Sequence, residues 1–296
     1  MTHEKTKRFL KRQGLAPHKQ LGQNFLVHER TPKRIVDLAG LHSEDRVIEV
    51  GVGLGALTRP LAAAAAKVIG LEADSGIIRL HQEQQDLPAN VELMHADVLK
   101  VDFASLIEPG ERLKIVANLP YSISSPFLFR LIDHAELMDF AVIMLQKEVA
   151  QRLMAQPGSK EYGAPTVLLA ACAEVRPLLA VHPAEFHPRP KVDSLVIRIG
   201  FHPVPPRVRA LGDFDRKLLS QVVHAAFGQR RKTLLNGLSG AALAPDKPTL
   251  TRCIEMAGLT PSIRAETLTL EDFVRLSRAI GTITSPANPI CQQTPP

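Results

Sequence analysis

The sequence predicts a parallel, doubly wound α/β sheet followed by a small all-helical domain. Short apolar runs alternate with helical stretches from about residue 31 to residue 148, the pattern of strands linked by crossover helices. A glycine-rich turn joins the first of these runs to a helix. Beyond the cluster Pro203, Pro205 and Pro206, helical patterns succeed one another with no strand between them. The chain has 296 residues, room for roughly two domains of ~150 residues each. A chain of this length buries enough core to fold without disulfides or a structural metal.

In chain order, residues 1–20 read as a flexible basic leader. Thr31-Pro32 then reads as an N-cap with proline at the first helical position. Ile35, Val36, Leu38 and Ala39 supply an apolar stripe that Gly40 ends. Arg46–Val50 is the first strand, followed by the glycine turn and a helix to about Ala65. Lys67–Glu72 is a strand, Ile77–Gln84 a helix and Val91–His95 a third strand. Leu113–Ala117 is the fourth strand, Pro126–His134 a helix and Phe140–Leu145 the fifth strand. A helix over Pro165–Ala173 precedes two β-rich runs, Glu174–Val181 and Val192–Ile199, expected to pair antiparallel and close the sheet. The segment Phe201–Pro206 reads as a linker. Helices are expected over 215–227, 230–238, 249–257 and 271–280, and the Pro- and Thr-rich residues 282–296 as a disordered tail. The domain boundaries so read are 21–203 for the sheet and 204–281 for the helices.

Composition excludes several classes. Cys172, Cys253 and Cys291 are too few and too scattered for a disulfide framework or a thiolate metal site, which suits a reducing cytoplasm, and no metal is expected. Apolar runs such as Val167–Ala173 are far too short to span a membrane. The basic start has no apolar stretch or cleavage site of a secretory signal. The net charge of +6 is unevenly spread: residues 1–20 carry six basic residues against Glu4, and residues 205–236 carry seven against Asp213 and Asp215. Each segment is therefore +5, and the remainder of the chain is −4. Such concentration suits a phosphate-rich partner, because neutralised phosphates release counterions; a solvated basic face is the plainer alternative.

The turn reads Glu49-Val50-Gly51-Val52-Gly53-Leu54-Gly55-Ala56. Glycines let a chain bend sharply and approach a ligand, with a helix N-terminus behind it. Gly51, Gly53 and Ala56 also satisfy a dinucleotide fingerprint, and Glu72 lies 21 residues beyond Gly51, where an acid meets a ribose. Nicotinamide and S-adenosylmethionine sites share that feature, so the Rossmann-like turn alone leaves both open, alongside a simple packing turn. Asp97, at the end of the third strand, is placed to accept from an adenine amino group. Asn118-Leu119-Pro120-Tyr121 follows the fourth strand, and doubly wound sheets bind ligands at the carboxyl ends of their strands.

That tetrapeptide matches the pattern of amino-group methyltransferases. An exocyclic amine on a base is a poor nucleophile because its lone pair is delocalised into the ring. The Asn118 side-chain carbonyl and the Leu119 backbone carbonyl can accept its N–H bonds, with Pro120 fixing the chain that aims them. Catalysis is then orientation and stabilisation of developing charge. Tyr121 is expected to stack on the flipped base, worth about 1–3 kcal/mol, and Phe186 in its Pro-rich loop to supply the opposite face. Loop packing is the alternative for Phe186.

Several stretches together resemble the ribosomal RNA adenine N6,N6-dimethyltransferases of the KsgA type. They are Leu21–Leu26 (LGQNFL), Glu49–Gly55 (EVGVGLG), Asn118–Ser124 (NLPYSIS), Met144–Val149 (MLQKEV), Pro190–Ser194 (PKVDS) and Phe227–Thr233 (FGQRRKT). They run in family order across about 20–280. The resemblance implies S-adenosyl-L-methionine as cofactor, with Asn24 and Leu26 lining its site beside Gly51, Gly53, Glu72, Asp97 and Asn118. It implies RNA contacts at Lys191, Arg230, Arg231 and Lys232, and a pocket shaped by Gln146, Lys147 and Glu148. The implied substrate is two adjacent adenosines in the 3′-terminal hairpin loop of small-subunit ribosomal RNA, in an immature 30S particle, each dimethylated by a monomer during late assembly. A large-subunit ribosomal RNA methyltransferase and a non-catalytic RNA-binding assembly or transcription factor stay open as alternatives. One departure is Val52, where the family often has proline; a β-branched residue suits the extended backbone there.

Overall fold

The computed structural model describes residues 3–14, 23–229, 231–241, 243–244 and 246–284. The chain forms two compact units. The first comprises residues 1–150 and 173–203, the second residues 151–172 and 204–296.

The first unit contains helices α1 (His3–Arg12), α2 (Arg30–Ala39), α3 (Thr58–Ala64), α4 (Ser75–Gln84) and α5 (Ser124–Asp133). Its strands are β1 (Phe25–Leu26), β2 (Arg46–Val50), β3 (Lys67–Glu72), β4 (Val91–His95), β5 (Leu113–Asn118), β6 (Met138–Gln146), β7 (Glu174–Val181), β8 (Phe186–His187) and β9 (Ser194–Gly200). Seven of these make one sheet, in the order β4-β3-β2-β5-β6-β9-β7. The first five run parallel, while β9 pairs antiparallel with both β6 and β7. The expected closing pair therefore sits at the sheet edge, where Pro177 coincides with a register shift, as suits a residue with no N–H to give a ladder.

The central strands are buried and strongly apolar: Val47, Ile48, Val68, Ile69, Ile115, Val116 and residues 141–143 are almost fully enclosed. Such runs are what a sheet covered on both faces requires. Helix α4 starts at Asp74, whose Oδ1 accepts from the Gly76 and Ile77 N–H groups, satisfying donors the helix cannot. Chain order reverses at β2, which lies between β3 and β5. The crevice beyond the carboxyl ends of β2 and β5 is thus the place where such a fold binds ligands.

Three expectations need correction here. Residues 3–12 of the leader form helix α1, because Thr6 and Leu10 are buried and Leu10 packs with Phe25, Leu54, Ile77 and Leu80. Its basic residues occupy the exposed side. Helix α2 begins at Arg30, with Glu29 as N-cap; Thr31 instead donates from Oγ1 to Glu185 Oε2 at 2.7 Å. Residues 151–172 group with the helices and not with the sheet. The boundary falls within α6 (Lys147–Leu153), and α7 (Ala164–Ala170) belongs to the second unit.

That second unit continues with α8 (Pro206–Ala210), α9 (Arg216–Phe227), α10 (Leu234–Leu238), α11 (Lys247–Met256) and α12 (Leu270–Thr284). Tyr162 explains why 151–172 belongs there: its hydroxyl donates to the Leu268 carbonyl at 2.8 Å, and its ring meets Phe227 edge-on. Asp215, Thr233 and Asp246 cap α9, α10 and α11. Helix α12 runs on to Thr284, past the expected start of the tail; the rest of that segment lies outside the described residues. Among the described residues, no helix is long and apolar enough to cross a membrane, Cys172 and Cys253 are buried outside any disulfide, and no cluster of metal-ligating side chains occurs.

Candidate active site

Register builds the site. Val50 lies opposite Ala117 in the β2–β5 ladder, so the next residues along, Gly51 and Asn118, meet where the two strands end. A Cβ on Gly51, whose φ is +81°, would stand 3.3 Å from the Asn118 backbone oxygen. Glycine is needed there for its left-handed backbone and for the close approach.

A cavity of about 370 Å³ opens at this point, within the size range of small-molecule sites. Its walls include Asn24, Leu26, Gly51, Gly53, Glu72, Asp97 and Asn118, all the residues that the resemblance places around a cofactor. The Asn118 Nδ2 donates to the Asn24 backbone oxygen at 3.2 Å, which leaves Oδ1 as the acceptor end of the amide. Leu119 and Pro120 also line the cavity, the Leu119 side chain buried. The Pro120 carbonyl accepts from the Ile123 N–H at 3.1 Å and so stabilises the following 3-10 turn.

Two acids dominate the electrostatics. Glu72 is 7% exposed, and its Oε2 accepts from the Gly53 N–H and its Oε1 from the Asp74 N–H, each at 2.9 Å. Burial raises its pKa, and those backbone donors oppose the rise. Each oxygen keeps a second lone pair for a ligand hydroxyl. Glu49, at the cavity wall, is completely buried, and neither of its carboxylate oxygens has a hydrogen-bond partner among the described residues. Burial pushes its carboxyl up to about 8; the neighbouring Thr58 hydroxyl and the charge of Arg59 oppose that rise, and the charge of Glu72 adds to it. An acid so deeply buried with so little polar support is costly, and it fits a cationic ligand group. Glu49 lines the cavity without a role assigned from the sequence; an acid among the apolar Val47, Ile48 and Val50, two places before the turn, is the signal for it.

Asp97 lines the cavity but also caps its own turn, Oδ1 accepting from the Leu99 N–H at 3.0 Å. Tyr121 is half-buried beside the cavity rather than in its wall, its hydroxyl 2.7 Å from Ser194 Oγ. That bond ties the turn after β5 to β9. At the neighbouring strand ends, Gln146 faces Ser194 and the Lys147 N–H donates to the Asp193 carbonyl at 2.9 Å.

Phe186 departs from expectation. It pairs with Leu26 in the small β1–β8 ladder, and its ring is 1% exposed. It packs in the core with Leu26, Ile35, Met144, Val181 and Val196, so neither ring face is open to a base in this structure. Lys191, Arg231 and Lys232 are exposed; Arg230 lies outside the described residues.

With this geometry in view, comparison with known proteins is decisive. The family model for ribosomal RNA adenine dimethylase matches residues 14–280. The chain belongs to the ribosomal RNA adenine dimethylase family. A ribosomal RNA small subunit methyltransferase A of Desulfotalea psychrophila is 50% identical over 285 residues, spanning 93% of this chain and 95% of that protein. The Geobacter metallireducens protein of the same name is 43% identical, over 90% and 97%. Among solved structures, a dimethyladenosine transferase from Plasmodium falciparum superposes with a TM-score of 0.68 at 27% identity, covering 85% of this chain and 95% of that one. The 23S rRNA methyltransferase ErmE gives 0.60 at 25% identity, over 87% and 99%. The dimethylase family thus accounts for the Rossmann-like sheet and the helical unit together.

Proposed function

We propose that this dimethylase transfers methyl groups from S-adenosyl-L-methionine to the N6 amines of two adjacent adenosines in the 3′-terminal hairpin loop of small-subunit ribosomal RNA, late in ribosome assembly. The observation that carries the reading is the meeting of Asn118 with Gly51 at one cavity whose wall also holds the fully buried acid Glu49. The residues present fit the cofactor. Glu49 offers a buried acid to its cationic end, Glu72 offers lone pairs to ribose hydroxyls, and Asp97 an acceptor to an adenine amine. When bound, S-adenosylmethionine supplies the methyl group, activated on a sulfonium.

The chain's own residues then do the positioning. Asn118 Oδ1 and the Leu119 carbonyl accept the N–H bonds of the target amine, favouring a pyramidal nitrogen whose lone pair faces the cavity. Pro120 restricts the backbone that presents them. Tyr121, anchored through Ser194, stacks on the extruded base. Lys191, Arg230, Arg231 and Lys232 meet RNA phosphates. The likeness to ErmE favours a large-subunit substrate as the second reading, and the higher identities to small-subunit enzymes weigh against it.

The test is incubation with labelled S-adenosylmethionine and undermethylated small or large subunits, followed by mapping of the modified nucleotides. Label in two adjacent small-subunit adenosines is the expected result. Label confined to large-subunit RNA selects the second reading, and binding without label selects a non-catalytic factor.

A further inference from the structure

The glycine turn is held from a second direction by side chains to which the catalytic reading assigns no role. His81, on α4, is 4% exposed, yet both of its ring nitrogens meet oxygens. Nδ1 stands 2.7 Å from Asp86 Oδ1, and Nε2 stands 2.8 Å from the Gly53 carbonyl oxygen. Asp86 Oδ2 also accepts from Arg59 Nη2 at 2.5 Å, and Arg59 Nη1 donates to the carbonyls of Leu54 and Gly55 at 3.2 and 3.1 Å. Since Glu72 takes the Gly53 N–H at 2.9 Å, the Gly53 peptide is gripped at both its N–H and its carbonyl.

These partners fix the protonation of the ring. A neutral imidazole has one donor and one acceptor nitrogen, and a backbone carbonyl only accepts. Burial alone would raise the Asp86 carboxyl, but the hydrogen bond and charge of His81, together with Arg59, hold it below its ordinary value, so it too only accepts. An imidazolium satisfies both contacts; a neutral ring sets a lone pair against an oxygen. We propose that the His81 imidazolium, anchored by Asp86 and Arg59, is a positioning residue that holds the Gly53 peptide in the shape that binds the cofactor. This rests on the reading of the cavity as an S-adenosylmethionine site.

The charged groups around His81 are Arg59 from α3, Asp86 beyond its own helix, and Glu72 across the turn. Its ring also borders a groove of about 780 Å³, whose other titratable walls are Lys33 and Asp37 of α2 and His28 and Glu29 before it. Arg79 and Glu83 lie on its own helix.

The experiment measures the S-adenosylmethionine Kd of the full chain and of His81→Gln by calorimetry between pH 6 and 9. Glu49 and Glu72 titrate in both proteins, so the ratio of the two Kd values isolates His81. The expected ratio is about ten-fold at pH 6, the worth of one charge-assisted hydrogen bond, and it shrinks toward one as the pH is raised. A ratio that stays constant with pH overturns the proposal, because a purely structural contact would give that. Should the variant not fold, nitrogen-15 spectra of the wild-type imidazoles decide: two N–H signals from the His81 ring at pH 6.5 support the proposal, and one overturns it. A wild-type chain that binds no S-adenosylmethionine at any pH overturns the cofactor reading and this inference with it. Tight binding with a flat ratio overturns this inference alone.

Discussion

Gly51 faces Asn118 across the ends of two parallel strands, so closely that a methyl group on the glycine would stand 3.3 Å from the asparagine's backbone oxygen. The glycine turn and the strand end that carries Asn118 therefore share one wall of the cavity, and a change in either is expected to be felt by the other.

Gly51→Ala tests that coupling. The residue has φ +81°, a conformation that costs a non-glycine residue roughly 1–2 kcal/mol. The expected outcome is a lowered melting temperature together with weaker S-adenosylmethionine binding, read by calorimetry. Unchanged affinity in a folded variant would show that the turn tolerates a side chain beside Asn118.

Asn118→Ala tests the acceptor role proposed for the Asn118 side chain. The expected loss is at least ~100-fold in methyl transfer, the usual size for one transition-state contact, with the cofactor Kd nearly unchanged. Single-turnover assays on undermethylated small subunits check it, and wild-type turnover would remove the mechanism.

Arg231 and Lys232 are exposed in the second unit. Replacing both with glutamine is expected to flatten the log–log salt dependence of RNA binding by about 1.4–1.8, at roughly 0.7–0.9 per phosphate contact. Filter binding between 50 and 300 mM salt reads this directly. A slope that stays put makes the patch merely solvated.

The parts legible in the sequence are those whose chemistry is local. Strands β2, β3 and β4 run over the residues that their apolar runs predict, and Asn118 is singled out because Asn-Leu-Pro-Tyr begins on the last residue of a strand, at the carboxyl end of the sheet. The parts that are not legible depend on distant partners. Phe186 looks like a loop aromatic among prolines until β8 pairs with β1 and carries its ring into the core. Thr6, Phe9 and Leu10 have helical spacing, but their apolar face has meaning only once Phe25, Leu54 and Leu80 are beneath it. Residues 151–172 lie between sheet strands β6 and β7 in the chain, yet Tyr162 bonds to Leu268, more than a hundred residues away.

Val52 of the turn packs over Gly70. A Cβ on Gly70 of β3 would approach Val52 Cγ2 to 2.6 Å, so the valine occupies space that glycine leaves open. Gly70→Ala is expected to destabilise the chain by about 1–3 kcal/mol, as overpacking does. Adding Val52→Ala should recover part of that loss. Denaturant melts of the two single variants and the double variant give the coupling; simple additivity would show that the two side chains do not compete.

Glu49 gives the protein a pH signature. Its carboxyl is pushed from 4.5 up to about 8, chiefly by burial. Between those values the folded chain keeps a proton that the unfolded chain has lost. Stability is therefore unaffected below about pH 4.5, falls as the pH rises from there to about 8, and levels off above. Glu72 shifts in the same direction and remains in any Glu49 variant. Glu49→Gln, which is neutral at every pH, is expected to melt above the wild type at pH 8 without cofactor, and close to it at pH 5. The same variant is expected to bind S-adenosylmethionine at least ~10-fold more weakly at pH 8, because an ionised carboxylate no longer faces the cationic end of the ligand. Scanning fluorimetry at the two pH values, with and without the cofactor, separates the two effects. A variant that neither gains stability nor loses affinity would mean that the buried acid at the cavity wall plays no electrostatic part in the site.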